Sequence, residues 1–157
     1  MRIPRSGLLA GLSVIAVAGL GLAGTPAYAA TGLVDGSISL SSATCSWTNA
    51  TTSDVPPNTL TVDHTTVSPA CSSGSASLTN DPTVSFDDSA GTATSPEVDV
   101  SGTVIGVSCS YKVTNVTLTR SGSTRSYSGG PFTATKTGGG FLCPSTETVS
   151  SASLTFH

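Results

Sequence analysis

From residue 37 onward, apolar side chains are separated by single serines and threonines. Ile38 and Leu40 alternate with Ser37, Ser39 and Ser41, and Leu60 and Val62 with Thr59, Thr61 and Asp63. Val116 and Leu118 alternate with Thr117 and Thr119, and Ala152, Leu154 and Phe156 form the last such run. In a strand, successive side chains point to opposite faces, so this period builds a sheet with one apolar and one hydroxyl-covered face. No stretch after residue 30 keeps the i, i+3, i+4 stripe of a helix. Turn signals break the runs at short intervals: Pro56-Pro57-Asn58, Asn80-Asp81-Pro82, Ser89-Ala90-Gly91, Ser121-Gly122-Ser123 and Gly138-Gly139-Gly140. Many short strands with frequent turns predict an all-β antiparallel sandwich or barrel.

The longest strand candidate, Glu97 to Val113, changes phase. Val98, Val100 and Val104 sit at even positions, whereas Ile105, Val107, Cys109, Tyr111 and Val113 sit at odd ones. A β-bulge near Ile105-Gly106, or a bend from one sheet to another, is expected there.

The N-terminus has the pattern of a secretion signal. Arg2 and Arg5 precede an apolar run from Leu8 to Ala23, and Ala27-Tyr28-Ala29 supplies the A-x-A spacing of a cleavage site. The expected mature chain starts at Ala30 and forms one domain over residues 30–157. It keeps four bases against nine acids, a net charge of −5. An acidic chain with so few lysines lacks the basic stripe that nucleic acid requires. No later run reaches the roughly 20 apolar residues of a membrane span. The expected location is therefore secreted and extracellular.

Export leads to an oxidising space, so Cys45, Cys71, Cys109 and Cys143 are expected as two disulfides. The halves of the chain echo each other: Cys45-Ser46-Trp47 parallels Cys109-Ser110-Tyr111, and Ser75-Ala76-Ser77-Leu78-Thr79 parallels Ser151-Ala152-Ser153-Leu154-Thr155. Among three pairings, the echo favours Cys45–Cys71 with Cys109–Cys143. The stretch Gly106 to Tyr111, with Phe141-Leu142-Cys143-Pro144-Ser145 and the terminal Ser/Thr strand, resembles small exported actinobacterial Ser/Thr/Gly-rich β proteins of unknown function. The resemblance implies an extracellular all-β protein, and it implies no activity and no functional residues.

Catalytic patterns are sparse. Asp63-His64 is the one acid–histidine neighbour pair, but residues adjacent on a strand face opposite ways, and His64 is expected as a solvated strand-end residue. His157 is the other histidine. Asp54, Asp63, Asp87, Asp88, Glu97, Asp99 and Glu147 are carboxylates of the type a glycosidase needs, and they are also the charges that keep a neutral surface soluble. Asp87, Asp88, Glu97 and Asp99 are candidate calcium ligands, although no D-x-D-x-D-G loop is present. No C-x-x-C occurs to hold zinc.

Trp47 and Tyr111 each follow a cysteine by two residues, which places them on its strand face. They are read as core aromatics packed on disulfides, or as a ligand platform together with a surface Tyr127. Ser68-Pro69-Ala70-Cys71 and Leu142-Cys143-Pro144 are candidate inhibitor loops. The expectation is a secreted non-catalytic structural or interaction protein, with no cofactor, whose partner is a cell-surface polymer or an extracellular protein. The alternative is a small binding module for carbohydrate or for a secreted enzyme such as a protease.

Overall fold

The computed structural model describes residues 31–104 and 106–157, so the expected signal segment, its cleavage site and Ile105 lie outside the described residues. Eleven strands form one antiparallel system: β1 (Gly32–Leu40), β2 (Thr44–Thr52), β3 (Leu60–Thr61), β4 (Ala70–Cys71), β5 (Ser75–Leu78), β6 (Thr83–Asp87), β7 (Thr92–Val104), β8 (Val107–Arg120), β9 (Ser126–Gly129), β10 (Phe132–Gly139) and β11 (Thr146–Phe156). A single 3-10 turn, His64–Thr66, lies between β3 and β4.

Three pairs of these strands are single lines of chain with a break. β9 and β10 keep one register against β11 (Ala152↔Gly129, Val149↔Phe132) and are interrupted only at Gly130-Pro131. Proline has no N–H to donate to a ladder, which suits it to such a break. β3 and β4 both run against β2, and β5 and β6 both run against β7. Each line then neighbours the next in sequence, and β11 returns to pair with β1. The strand system is thus an up-and-down barrel of eight staves.

Closure depends on β3. Its N–H and C=O groups reach β6 on one side (Leu60↔Val84) and β2 on the other, through the Thr52↔Val62 bridge and the Ser53 N–H to Thr61 O bond of 2.9 Å. At the opposite end, no ladder joins β4 to β5 among the described residues, so the wall has a seam there.

The phase change near residue 105 has a simpler cause than a bulge or a sheet switch. β7 and β8 form one long hairpin in which Val104 pairs with Val107, Val100 with Tyr111 and Val98 with Val113. Across a two-residue connection, facing residues have opposite parity, so the inward positions switch from even to odd. Gly106 has φ +75°, a value that glycine adopts without penalty in such turns.

Both disulfides form as the half-chain echo predicts, Cys45–Cys71 and Cys109–Cys143, and neither half is cross-linked to the other. Each joins neighbouring parts of the wall near the seamed end. Their loops of 26 and 34 residues contribute about 3–4 kcal/mol each in the chain-entropy picture. Two bridges fit an oxidising compartment.

The inward face is packed unevenly. At the closed end, Val34, Ala50, Leu60, Val62, Val84, Ala93 and Leu118 are buried, capped by Phe86, Tyr127 and Phe156 with ring centroids 5.3–6.0 Å apart. Tyr127, expected at the surface because turns flank it, is only 2% exposed. The signal that places it inside is its alternation with Ser126 and Ser128 opposite Leu154 and Arg120.

Trp47 is half-buried and packs against the closed-end core cluster. Its six-membered ring occupies the space above Gly36, its partner on β1, where any Cβ would collide with the indole. Gly36→Ala should therefore behave as an overpacked core substitution and destabilise by about 1–3 kcal/mol. Urea denaturation followed by the emission of Trp47, the single tryptophan, measures this, and an unchanged midpoint would contradict the contact.

Candidate ligand-binding cavity

Toward the seamed end, the inward side chains do not meet. Ile38, Leu40, Leu78, Val98, Val100, Tyr111, Val116 and Leu154 point inward yet are only half-buried. A well-packed interior of this size would bury them. Here they surround a cavity of about 690 Å³. Binding pockets for small molecules generally fall between roughly 300 and 1,000 Å³. The wall is apolar almost throughout, and Glu147 is the one charged residue among those that line it.

Beyond the serine and threonine residues of the lining, the polar groups of the wall are few. Glu147 follows from the alternation of β11, since it shares a face with Val149, and its Oε1 accepts the Ser41 hydroxyl at 3.1 Å. The Tyr111 hydroxyl donates to Pro144 O at 3.3 Å. Burial pushes the Tyr111 phenol above its usual value, and the Glu147 carboxylate adds to that shift. Lys136, the nearest base in sequence on β10, is not part of the wall, and its Nζ donates to Cys143 O at 3.2 Å. Trp47 lines the cavity, and its Nε1–H is buried with no acceptor.

Sequence reasoning named several of these residues for other reasons. Trp47 and Tyr111 are in the cavity wall, where they cannot form a flat sugar-stacking platform on the outer surface. Tyr127 belongs to the plug at the far end. Pro69, from one proposed inhibitor loop, faces the cavity, and Leu142 and Pro144, from the other, stand at its rim. The role of Glu147 was hidden among seven carboxylates, because only the register of β11 distinguishes it.

The remaining carboxylates are dispersed. Asp87 accepts from Ser89 and Ala90 in the β6–β7 turn, and Asp88 pairs with Arg120 at 2.7 Å. Glu97 and Asp99 lie on the outer face of β7, where Lys112 reaches Glu97 at 2.9 Å and Asp99 at 3.8 Å. Hydrogen bonding to Lys112 lowers the Glu97 pKa, whereas desolvation raises that of Asp99. The four calcium candidates thus fall into two separate pairs, each partnered by a cation or by backbone N–H groups. Asp54 accepts from Val55 N–H and Asn58 in a closed-end loop, and His157 pairs with Asp35 at 3.2 Å.

His64 is not at a strand end. It opens the 3-10 turn, Asp63 caps that turn by accepting from Thr65 N–H, and the histidine's partner is Asp81, with Nδ1 to Oδ1 at 2.6 Å. Asp81 comes from the turn before β6 and was invisible as a partner because the stave break that carries it lies 17 residues downstream. Ligand atoms of Asp63, His64 and Asp81 fall within 4.8 Å of one another. Both carboxylates are already engaged, Asp63 by the cap and Asp81 by His64, so the cluster reads as a fastening between β3 and β6.

The Asp81 pKa is lowered, first by the backbone N–H of His64 and then by its side chain. A depressed carboxylate adds stability that is complete above its ordinary value near 3.8 and is lost as pH falls through the lower folded value. Asp81→Asn should therefore flatten the acid limb of the stability curve below about pH 4. Thermal melts at pH 3 and pH 6 check this: the variant's deficit relative to wild type should be smaller at pH 3, and an equal deficit at both would contradict it.

No family model, no curated protein and no solved structure matches the chain.

Proposed function

We propose that the protein is a secreted, non-catalytic binding module that holds a neutral, largely apolar small molecule inside its barrel. The observation that carries this reading is the half-buried state of the inward side chains around the cavity. Apolar walls with no neighbour forfeit dispersion contacts, and an apolar guest restores them. An eight-stranded barrel has an interior suited to one small ligand. Export and two disulfides suit a binder that works outside the cell.

One wall residue defines the ligand further. Glu147 places a carboxylate at the edge of an otherwise uncharged cavity, so an anionic guest meets like charge there. The same chain length presented as an alcohol and as a carboxylate should therefore bind differently.

Displacement of a solvatochromic dye by decanol and by decanoate tests this, with quenching of Trp47 as a second readout. Wild type should prefer the alcohol by about tenfold, as expected for one partly screened like-charge contact. Glu147→Gln should narrow that preference while leaving decanol binding unchanged. No dye binding at all would overturn the reading, and an equal preference in both proteins would overturn the role of Glu147.

A further inference from the structure

The two ends of the barrel differ in charge. The connections described at the open end are residues 41–43, 72–74, 140–145 and Gly106, and none contains Asp, Glu, Lys or Arg. The closed end and the stave breaks near it carry Asp35, Asp54, Asp63, Asp81, Asp87, Asp88, Arg120 and Arg125. One end is thus heavily hydrated and the other is covered by serine, glycine and apolar groups.

The connection from β10 to β11 breaks the usual chemistry of a turn. Cys143 N–H donates to Gly140 O at 3.1 Å, which makes Phe141 and Leu142 the central residues of a tight turn. Gly, Pro, Asn, Asp and Ser ordinarily fill such positions. Instead, two large apolar side chains stand in water, Phe141 at 93% and Leu142 at 65% exposure. The turn is held in place: Cys143 is 3% exposed and bonded to Cys109, and Lys136 Nζ grips its carbonyl. Leu142 also lines the cavity, so the exposed patch is continuous with the interior.

We propose that this end of the barrel docks on an uncharged lipid surface, with Phe141 and Leu142 inserted among the headgroups, so that an apolar guest passes between lipid and cavity without crossing water. The proposal rests on the cavity reading for the guest, but the docking itself is measured separately. The rim turns themselves carry no ionisable side chain, and the two charges just behind them, Glu147 bonded to Ser41 and Lys136 bonded to Cys143 O, are of opposite sign, which suits a surface with no net charge. The excess of acids over bases in the chain after residue 30 argues against an anionic surface. A protein partner is disfavoured by the small patch, because protein interfaces need roughly 1,000 Å² and anchor on Trp, Tyr and Arg.

The test is flotation of the secreted protein with phosphatidylcholine vesicles, beside a Phe141→Ser/Leu142→Ser double variant. Trp47 emission and the two disulfides establish that the variant is folded, and because Leu142 lines the cavity, dye displacement in lipid-free buffer is measured on a Phe141→Ser single variant, whose side chain lies outside the wall. Wild type should float with the vesicles, 1 M NaCl should not release it, and the double variant should lose association about tenfold or more, the effect of withdrawing two apolar side chains from lipid. The proposal is overturned if wild type stays in solution, if the variant floats equally, or if binding requires anionic lipid. It is also overturned if wild type is a dimer without lipid that the double substitution makes monomeric, since a second copy would then be what covers the patch. Loss of flotation with dye binding intact refutes docking alone, and loss of dye binding with flotation intact refutes the cavity reading alone.

Discussion

A ring of backbone hydrogen bonds encloses more space than this chain's side chains fill. Closure is made by few residues: the two of β3, the Thr52↔Val62 bridge and the Leu60↔Val84 pairing tie β2 to β6. Once the ring is closed, its width is set by the number of staves and not by the residues inside. The chain supplies mostly Val, Ala, Leu and Ile to that interior, with four phenylalanines, three tyrosines and one tryptophan in the whole sequence. Phe86, Tyr127 and Phe156 are gathered at one end, where they fill the barrel. The other end is left to smaller side chains, and the cavity is the result.

That asymmetry organises the rest of the molecule. The plugged end carries the charged loops, the His64–Asp81 contact and the Asp88–Arg120 pair, all of which brace it from outside. The open end has less packing to hold it and has a seam between β4 and β5. Both disulfides lie there, Cys45–Cys71 tying β2 to β4 and Cys109–Cys143 tying β8 to the 140–145 turn. Covalent links thus take the place of a packed core where the interior is empty. The same placement keeps the Phe141-Leu142 turn in a fixed position beside the mouth.

Much of the fold was legible in the sequence, and the reasons are local. Alternation along Ile38–Leu40, Val116–Leu118 and Ala152–Phe156 reports strands directly. The repeated Cys-Ser-aromatic element gave the disulfide pairing, because each bridge closes within one half of the chain. The phase change at residue 105 was visible as a pattern, though a two-residue hairpin and a bulge leave the same mark on parity. What escaped depends on contacts distant in sequence. A choice between sandwich and barrel turns on a two-residue strand and one isolated bridge, which no periodicity announces. Glu147 differs from six other carboxylates only in its register on β11, and Asp81 meets His64 only once the broken staves are aligned. Leu142 is legible as part of a candidate loop beside a cysteine and Phe141 only as part of the resemblance, but the exposure of both follows from the turn geometry.

The barrel interior is unfilled toward its seamed end, and enlarging one wall residue tests this most directly. Val100 faces the cavity between Leu78 and Tyr111. Val100→Phe adds volume where there is room, so chemical denaturation should find a stability equal to or above that of wild type, with the dye excluded from the filled barrel. A loss of about 1–3 kcal/mol, the usual cost of overpacking a filled core, would contradict the account.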